Sequence, residues 1–183
     1  MQTLPSQKMT VDEFLPWAEA QERGHYELHD GEVIAMSPER AVHWKVKFNV
    51  AVALRNAIAA AGLKCHAVPD GATVRISQRT AFEPDALVYC GEEVAGDSLE
   101  VPNPAIMVEV LSPGTQVTDL RDKLRGYFTV PSVHHYLIVD PEKQIAIHHA
   151  RGEGDALKTR LVSAGELHLD PPGLTVTAAS FFE

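Results

Sequence analysis

The sequence predicts an α/β (α+β) fold, a mixed central sheet flanked by helices, on three observations. "AVHWKVKFNVAVALRNAIAAAG" runs about five turns without Pro or internal Gly and closes on Gly62, the pattern of a long helix. "AIMVEVL" is an apolar, β-branched run of strand length, and "TQVTDLRDKLRGYF" after it returns to helical spacing. Two Asp-Gly pairs, Asp30-Gly31 and Asp70-Gly71, each separate segments of strand character. With 183 residues and no low-complexity stretch, the chain is expected to form one domain over residues 1–183.

The elements follow in order. "MTVDEFLPWAEA" is a short first helix, with Thr10 or Asp12 as N-cap and Phe14, Leu15 and Ala18 at helical spacing. "HYELHDGEVIAMS" is a hairpin turning at Asp30-Gly31. On the long helix, Trp44, Phe48, Ala51 and Ile58 are expected to face the core, while His43 and Lys47, four apart, share another face. Asp70-Gly71 is expected to join "KCHAV" and "ATVRIS" as a second hairpin. "FEPDALVYC" and "AIMVEVL" are two further strands, and the next helix carries Leu120, Leu124, Tyr127 and Phe128 on one stripe. "HHYLIVD" and "QIAIHHA" pair around "PEK", and short strands near "KTRLVS" and "LTVTA" close the chain.

Composition narrows the class. Hydrophobic residues at 45% and charged residues at 22% are globular proportions. No apolar run approaches the ~20 residues needed to span a bilayer, and "MQTLPSQKMTVDEF" lacks the apolar core of a signal peptide. The expectation is a cytoplasmic protein without membrane contact. Cys65 and Cys90 lie in apolar runs without metal-ligand spacing, which reads as two reduced core thiols. A net charge of −9 argues against non-specific coating of nucleic acid, but leaves room for one local basic patch.

The chemistry gathers around Glu109, an acid in the middle of an apolar strand. A buried carboxylate shifts its pKa, pairs with a cation or binds a metal. An ordinary ion pair is the default for a lone acid, but Asp85 stands near the start of the preceding strand. Consecutive strands are commonly neighbours, so the two carboxylates would converge. Hard oxygen ligands with room for water suit Mg²⁺ or Mn²⁺. Neither "HH" pair, His134-His135 nor His148-His149, makes a chelate, because adjacent strand residues point to opposite faces.

Together "YELHDGEVIAMSP", His43, "PDALV", "VEVLSPGT", "DLRDKLRGYF" and "HHYLIVDPE" resemble, in this order, the Uma-type restriction endonuclease family, a branch of the PD-(D/E)xK nuclease superfamily. The resemblance spans about Tyr26 to Glu142 and implies a restriction-endonuclease-like core that cleaves phosphodiester bonds in DNA. It makes Asp85, Glu109 and the Val110 carbonyl the metal ligands. One departure matters: the superfamily's lysine two residues after the acid is Leu111 here. The resemblance supplies Lys123 on the following helix instead, roughly 60° off the Leu120–Leu124 stripe at 100° per residue. An i, i+4 pair with Asp119 is its ordinary alternative. Glu27 and His43 are implied as further lining of the active site. Lys45, Lys47, Arg121 and Arg125 are candidate phosphate contacts, and a homodimer would set two sites against two strands. Two other readings stand beside this one: a degenerate nuclease fold that binds nucleic acid or protein without catalysis, and a metal-dependent hydrolase of a small phosphoester.

Overall fold

Residues 4–112 and 117–183 are described by the computed structural model, except for the side chains of 117–119. Helix α1 (Val11–Glu19) begins at Thr10, which exchanges hydrogen bonds with Glu13 in a capping box. Strands β1 (Tyr26–His29) and β2 (Glu32–Ala35) form the expected hairpin. Both turn residues, Asp30 and Gly31, take positive φ (46° and 84°), the requirement of a tight two-residue turn.

Asp70-Gly71 does not close a hairpin. Strand β3 (Cys65–Pro69) and strand β4 (Val74–Ser77) belong to different sheets, and the turn passes the chain from one to the other. The hairpin lies one strand later: β4 pairs with β5 (Thr80–Phe82), and β5 with β1, in a four-stranded sheet ordered β2-β1-β5-β4. Helix α1 closes over it, with Val11 and Phe14 against Tyr26, Leu28 and Ala81.

The larger sheet adds β6 (Ala86–Cys90), β7 (Pro104–Val110), β8 (His135–Asp140), β9 (Ile145–Arg151) and β10 (Leu157–Val162), in the order β10-β9-β8-β7-β6-β3. Of its pairings, β7 with β8 is parallel, and α3 (Val117–Thr129) makes the crossover. Strand β8 is buried throughout and β7 nearly so, which explains their unbroken apolar sequences. A two-stranded ribbon, β11 (Glu166–Leu169) with β12 (Leu174–Thr177), packs beneath α2 (Ala41–Ala61).

Helix α2 covers one face of the six-stranded sheet through Val46, Val50, Leu54 and Ile58. The expected core face is therefore corrected: Ile58 is buried, but Trp44 and Phe48 are 56% and 67% exposed. Apolar residues stand on several sides of this helix, so the sequence offers two stripes at i, i+4 spacing. The buried one runs His43, Lys47, Val50, Leu54, Ile58. On the other face, α3 lays Tyr127 against Phe82, Met107 and Tyr136. Gly126 lets that helix come close, since a Cβ there would stand 2.7 Å from the Phe82 ring. Arg151 ties down the end of α3 by donating to the Phe128 and Val130 carbonyls at 3.1 and 3.0 Å.

The cysteines also differ from expectation. Cys65 and Cys90 are cross-strand partners in the β3–β6 ladder and form a disulfide. Neither is a core thiol: Cys90 is exposed and Cys65 half-buried. Register, invisible in the sequence, is what brings them together.

Candidate active site

In the antiparallel ladder of β6 and β7, Ala86 stands opposite Val108. One step outward, the same register sets Asp85 across from Glu109, at the end of β7. Alternation turns Glu109 to the face of Met107 and Leu111, beneath α3. Lys123 and Tyr127, four apart, descend onto it from that helix. The Lys123 Nζ lies 3.1 Å from each Glu109 oxygen, and the Tyr127 hydroxyl donates to Glu109 Oε1 at 2.6 Å.

Glu27 reaches the same point from the four-stranded sheet. Its Oε1 lies 2.9 Å from Lys123 Nζ and accepts from the Glu83 N–H at 2.9 Å, while Oε2 is 3.1 Å from His29 Nε2. The pairing of Lys123 with Asp119 falls outside the described side chains. Lys123 and Tyr127 form the buried centre of the helix face, flanked by the partly buried Leu120 and Leu124. The lysine is thus central where the sequence set it at the edge.

Asp85 has its own surroundings. Its Oδ2 accepts from the Val110 N–H at 2.5 Å, and its Oδ1 lies 2.6 Å from Lys47 Nζ. Lys47 also pairs with Asp70 at 3.0 Å and with Glu39. Its candidacy as a surface phosphate contact is corrected here, for it is buried within the site. His43 bonds the Val110 carbonyl through Nε2, lies 4.0 Å from Asp85 Oδ2, and sets Nδ1 3.0 Å from Glu39. Lys45, Arg121 and Arg125 remain exposed.

The ionisation states follow from burial and neighbours. Burial pushes Glu109 up to about 8, against the attraction of Lys123, and the Asp85 and Glu27 charges add to the rise. Burial also raises Asp85, although Lys47 and the Val110 N–H oppose it. Burial works against ionised Glu27 as well, but Lys123, His29 and the Glu83 N–H outweigh it and hold that carboxyl below its usual range. Lys47, despite the cost of burial, is held in its charged form well above its usual range by Asp85, Glu39 and Asp70. Tyr127 is driven well above its usual range by burial beside Glu109, so its phenol stays a donor.

A cleft of about 680 Å³ opens onto this group, lined by Glu27, His43, Asp85, Glu109, Val110 and Lys123 among others. The structure therefore brings together the five expected catalytic residues. Sequence reasoning missed Tyr127, His29, Glu83 and Glu39 as members. Tyr127 had a signal, four residues beyond Lys123 on one helix face; Glu83 had none, since it contributes a backbone N–H. Among the described residues, no group of three or more His, Cys, Asp or Glu is arranged to hold a metal ion.

This is a restriction-endonuclease-like fold. It superposes on a crystal structure from Anabaena variabilis ATCC 29413, described as "a putative nuclease belonging to DUF820", with a TM-score of 0.74. The alignment covers 95% of this chain and 97% of that one at 16% identity. Residues 11–179 match the family described as "Uma2: Putative restriction endonuclease", and the chain belongs to that family. Two Synechocystis sp. relatives also match, the uncharacterized proteins slr1290, 27% identical over 93% of this chain and 90% of its own length, and sll1609, 28% identical over 72% and 75%. No helix among the described residues is long and apolar enough to cross a membrane.

Proposed function

We propose that the chain is a divalent-metal-dependent endonuclease that hydrolyses phosphodiester bonds in DNA. The observation that carries this reading is the convergence of Asp85 and Glu109 at an open cleft, with Lys123 held 3.1 Å from Glu109. Family membership supports it independently.

The residues fit Mg²⁺ or Mn²⁺. Two carboxylates and the Val110 carbonyl are hard oxygen donors, and Mg²⁺ commonly takes one or two carboxylates with the remaining positions left to water and phosphate. Burial is what chiefly raises Glu109, and the negative charges of Asp85 and Glu27 add to the rise. A divalent cation would offset those charges. When bound, such an ion supplies Lewis-acid activation of the phosphate and a lowered pKa for water.

The chain's own residues do the rest. Lys123 presents an ammonium to the nucleophilic water and to charge developing on the phosphate. Glu27 and its partner His29 keep that ammonium aimed at the cleft. Tyr127 fixes the Glu109 carboxylate, and His43 orients the Val110 carbonyl, so both act as positioning residues. Lys45, Arg121 and Arg125 lie at the surface for contact with phosphates.

A second reading, a binding module on a catalytically degenerate nuclease fold, draws on a specific observation: Lys47 and Lys123 already occupy the positions beside Asp85 and Glu109. Incubation of plasmid and linear DNA with Mg²⁺, Mn²⁺ or chelator separates the two. Metal-dependent cleavage lost in Glu109→Gln supports the nuclease. DNA binding without cleavage under any of these metals would leave the binding module.

A further inference from the structure

The outer face of α2 carries residues that the site does not use. Trp44 and Phe48 lie one turn apart and are among the most exposed large apolar side chains described. Aromatic rings of this size ordinarily fill cores, but the core stripe of this helix is already occupied by Val46, Val50, Leu54 and Ile58. Lys45 and Arg55 are exposed beside them. The 21 residues of α2 include no Asp or Glu, in a chain with 25 acidic residues against 16 Lys and Arg. Arg40 and Val42, at the start of the helix, line the cleft that holds Asp85 and Glu109. Trp44 directly follows His43, which bonds the Val110 carbonyl. The aromatic and basic face therefore begins where the cleft opens.

We infer that this face is a track for an unpaired nucleic-acid strand, with bases stacked on Trp44 and Phe48 and phosphates passing Lys45 and Arg55. The inference rests on the nuclease reading of the cleft and specifies its substrate as single-stranded or locally unpaired. A ring exposed on a convex helix needs the face of a base, whereas a duplex offers only base edges. Four residues at about 1.5 Å each separate the rings by about 6 Å along the helix axis. That exceeds the spacing of about 3.4 Å along a duplex strand, so bases on the two rings must be unstacked from each other. The charge pattern selects this occupant over a second copy of the chain. An isologous dimer through α2 would bring the Lys45 and Arg55 charges of the two copies together, with no acid on either helix to offset them.

Anisotropy titrations with a fluorescent oligodeoxythymidine and a duplex of equal length, in Ca²⁺ at low salt, test the track. Wild type should bind the unpaired strand at least about tenfold more tightly than the duplex. Trp44→Ala and Phe48→Ala should each weaken that binding about tenfold, the scale of one lost base stack, and leave duplex binding unchanged. Lys45→Glu should weaken both and flatten the salt dependence. All three positions are exposed, so unchanged melting temperatures should accompany these losses. Equal affinity for both forms, or wild-type affinity in Trp44→Ala and Phe48→Ala, would overturn the track. A wild-type dimer in sedimentation that Trp44→Ala turns into a monomer would also overturn it. Metal-dependent cleavage separates the two ideas. Wild-type cleavage of unpaired DNA by Trp44→Ala removes the track and spares the nuclease. Stacking-dependent binding without cleavage under any metal supports the track and removes the nuclease.

Discussion

Lys123 Nζ stands equidistant, at 3.1 Å, from the two carboxylate oxygens of Glu109. The amine arrives from α3, not from the strand that carries the acid. Position 111, two residues beyond Glu109, holds a leucine packed into the apolar cluster beneath that helix. An ammonium delivered from above meets the same carboxylate that a strand lysine would meet from the side.

Replacing Lys123 by alanine should therefore remove metal-dependent cleavage by roughly 10²–10³-fold, the usual scale for a lost orienting and electrostatic group. Metal binding should persist, because the amine is not a ligand. The variant should also lose about 3–5 kcal/mol of stability, since the ionised Glu27 stays buried without its cation. Single-turnover cleavage, Mn²⁺ calorimetry and urea unfolding read the three effects separately. Adding Leu111→Lys should recover part of the rate. Wild-type cleavage by Lys123→Ala would leave the amine without a catalytic part.

Glu109 makes stability depend on pH. Its carboxyl titrates at about 8 in the fold against 4.5 as its ordinary value. Between those values the native state holds a proton that the unfolded chain has released, so the unfolded state binds fewer protons. Stability should then fall as pH rises from about 4.5 to about 8 and level off above. Urea titrations of wild type and Glu109→Gln should differ in slope across that window. Parallel curves would place Glu109 outside the titration. If Glu109 ligates the metal as proposed, metal affinity should move the opposite way, rising through the same window as its carboxyl ionises.

Divalent metal should raise the melting temperature of the wild type, because the native state alone gathers the two acids. At a hundred times the dissociation constant the gain is about 2.7 kcal/mol. Asp85→Asn should lose most of it in a calorimetric scan with Mg²⁺ and Mn²⁺. Equal responses from the two proteins would separate Asp85 from the metal.

The disulfide should contribute measurably. Cys65 and Cys90 are separated by 25 positions, and closing a loop of that size is worth about 2–4 kcal/mol. Cys90→Ser should lower the unfolding free energy by that amount, and reductant should lower the wild type equally. A wild type indifferent to reductant would mean the bond adds nothing.

Much of the site was legible because it depends on local rules. The apolar run around it placed Glu109 in the core, and strand adjacency placed Asp85 beside it. Lys123 came from helical spacing within one element and from the family pattern. What stayed hidden depends on packing between elements. Trp44 and Phe48 have the spacing of a core stripe, and only the sheet beneath α2 decides which stripe is buried. Asp70-Gly71 has the residues of a hairpin turn, yet the strands on either side find better partners in β6 and β5. Lys47 looked like a solvated lysine because Asp70, Glu39 and Asp85, its partners, are contributed by three separate segments.

Glu27 belongs to the four-stranded sheet and Glu109 to the six-stranded one, and Lys123 from a third element bridges both carboxylates. The two layers are thus riveted through the same ammonium that the proposed cleavage would use. Any partial opening in which the N-terminal layer lifts away takes Glu27 off Lys123 and leaves that ammonium with one anion fewer to hold it in place. Heat or denaturant that loosens this seam should abolish the proposed cleavage while the larger sheet is still intact, so loss of cleavage would precede the global unfolding transition.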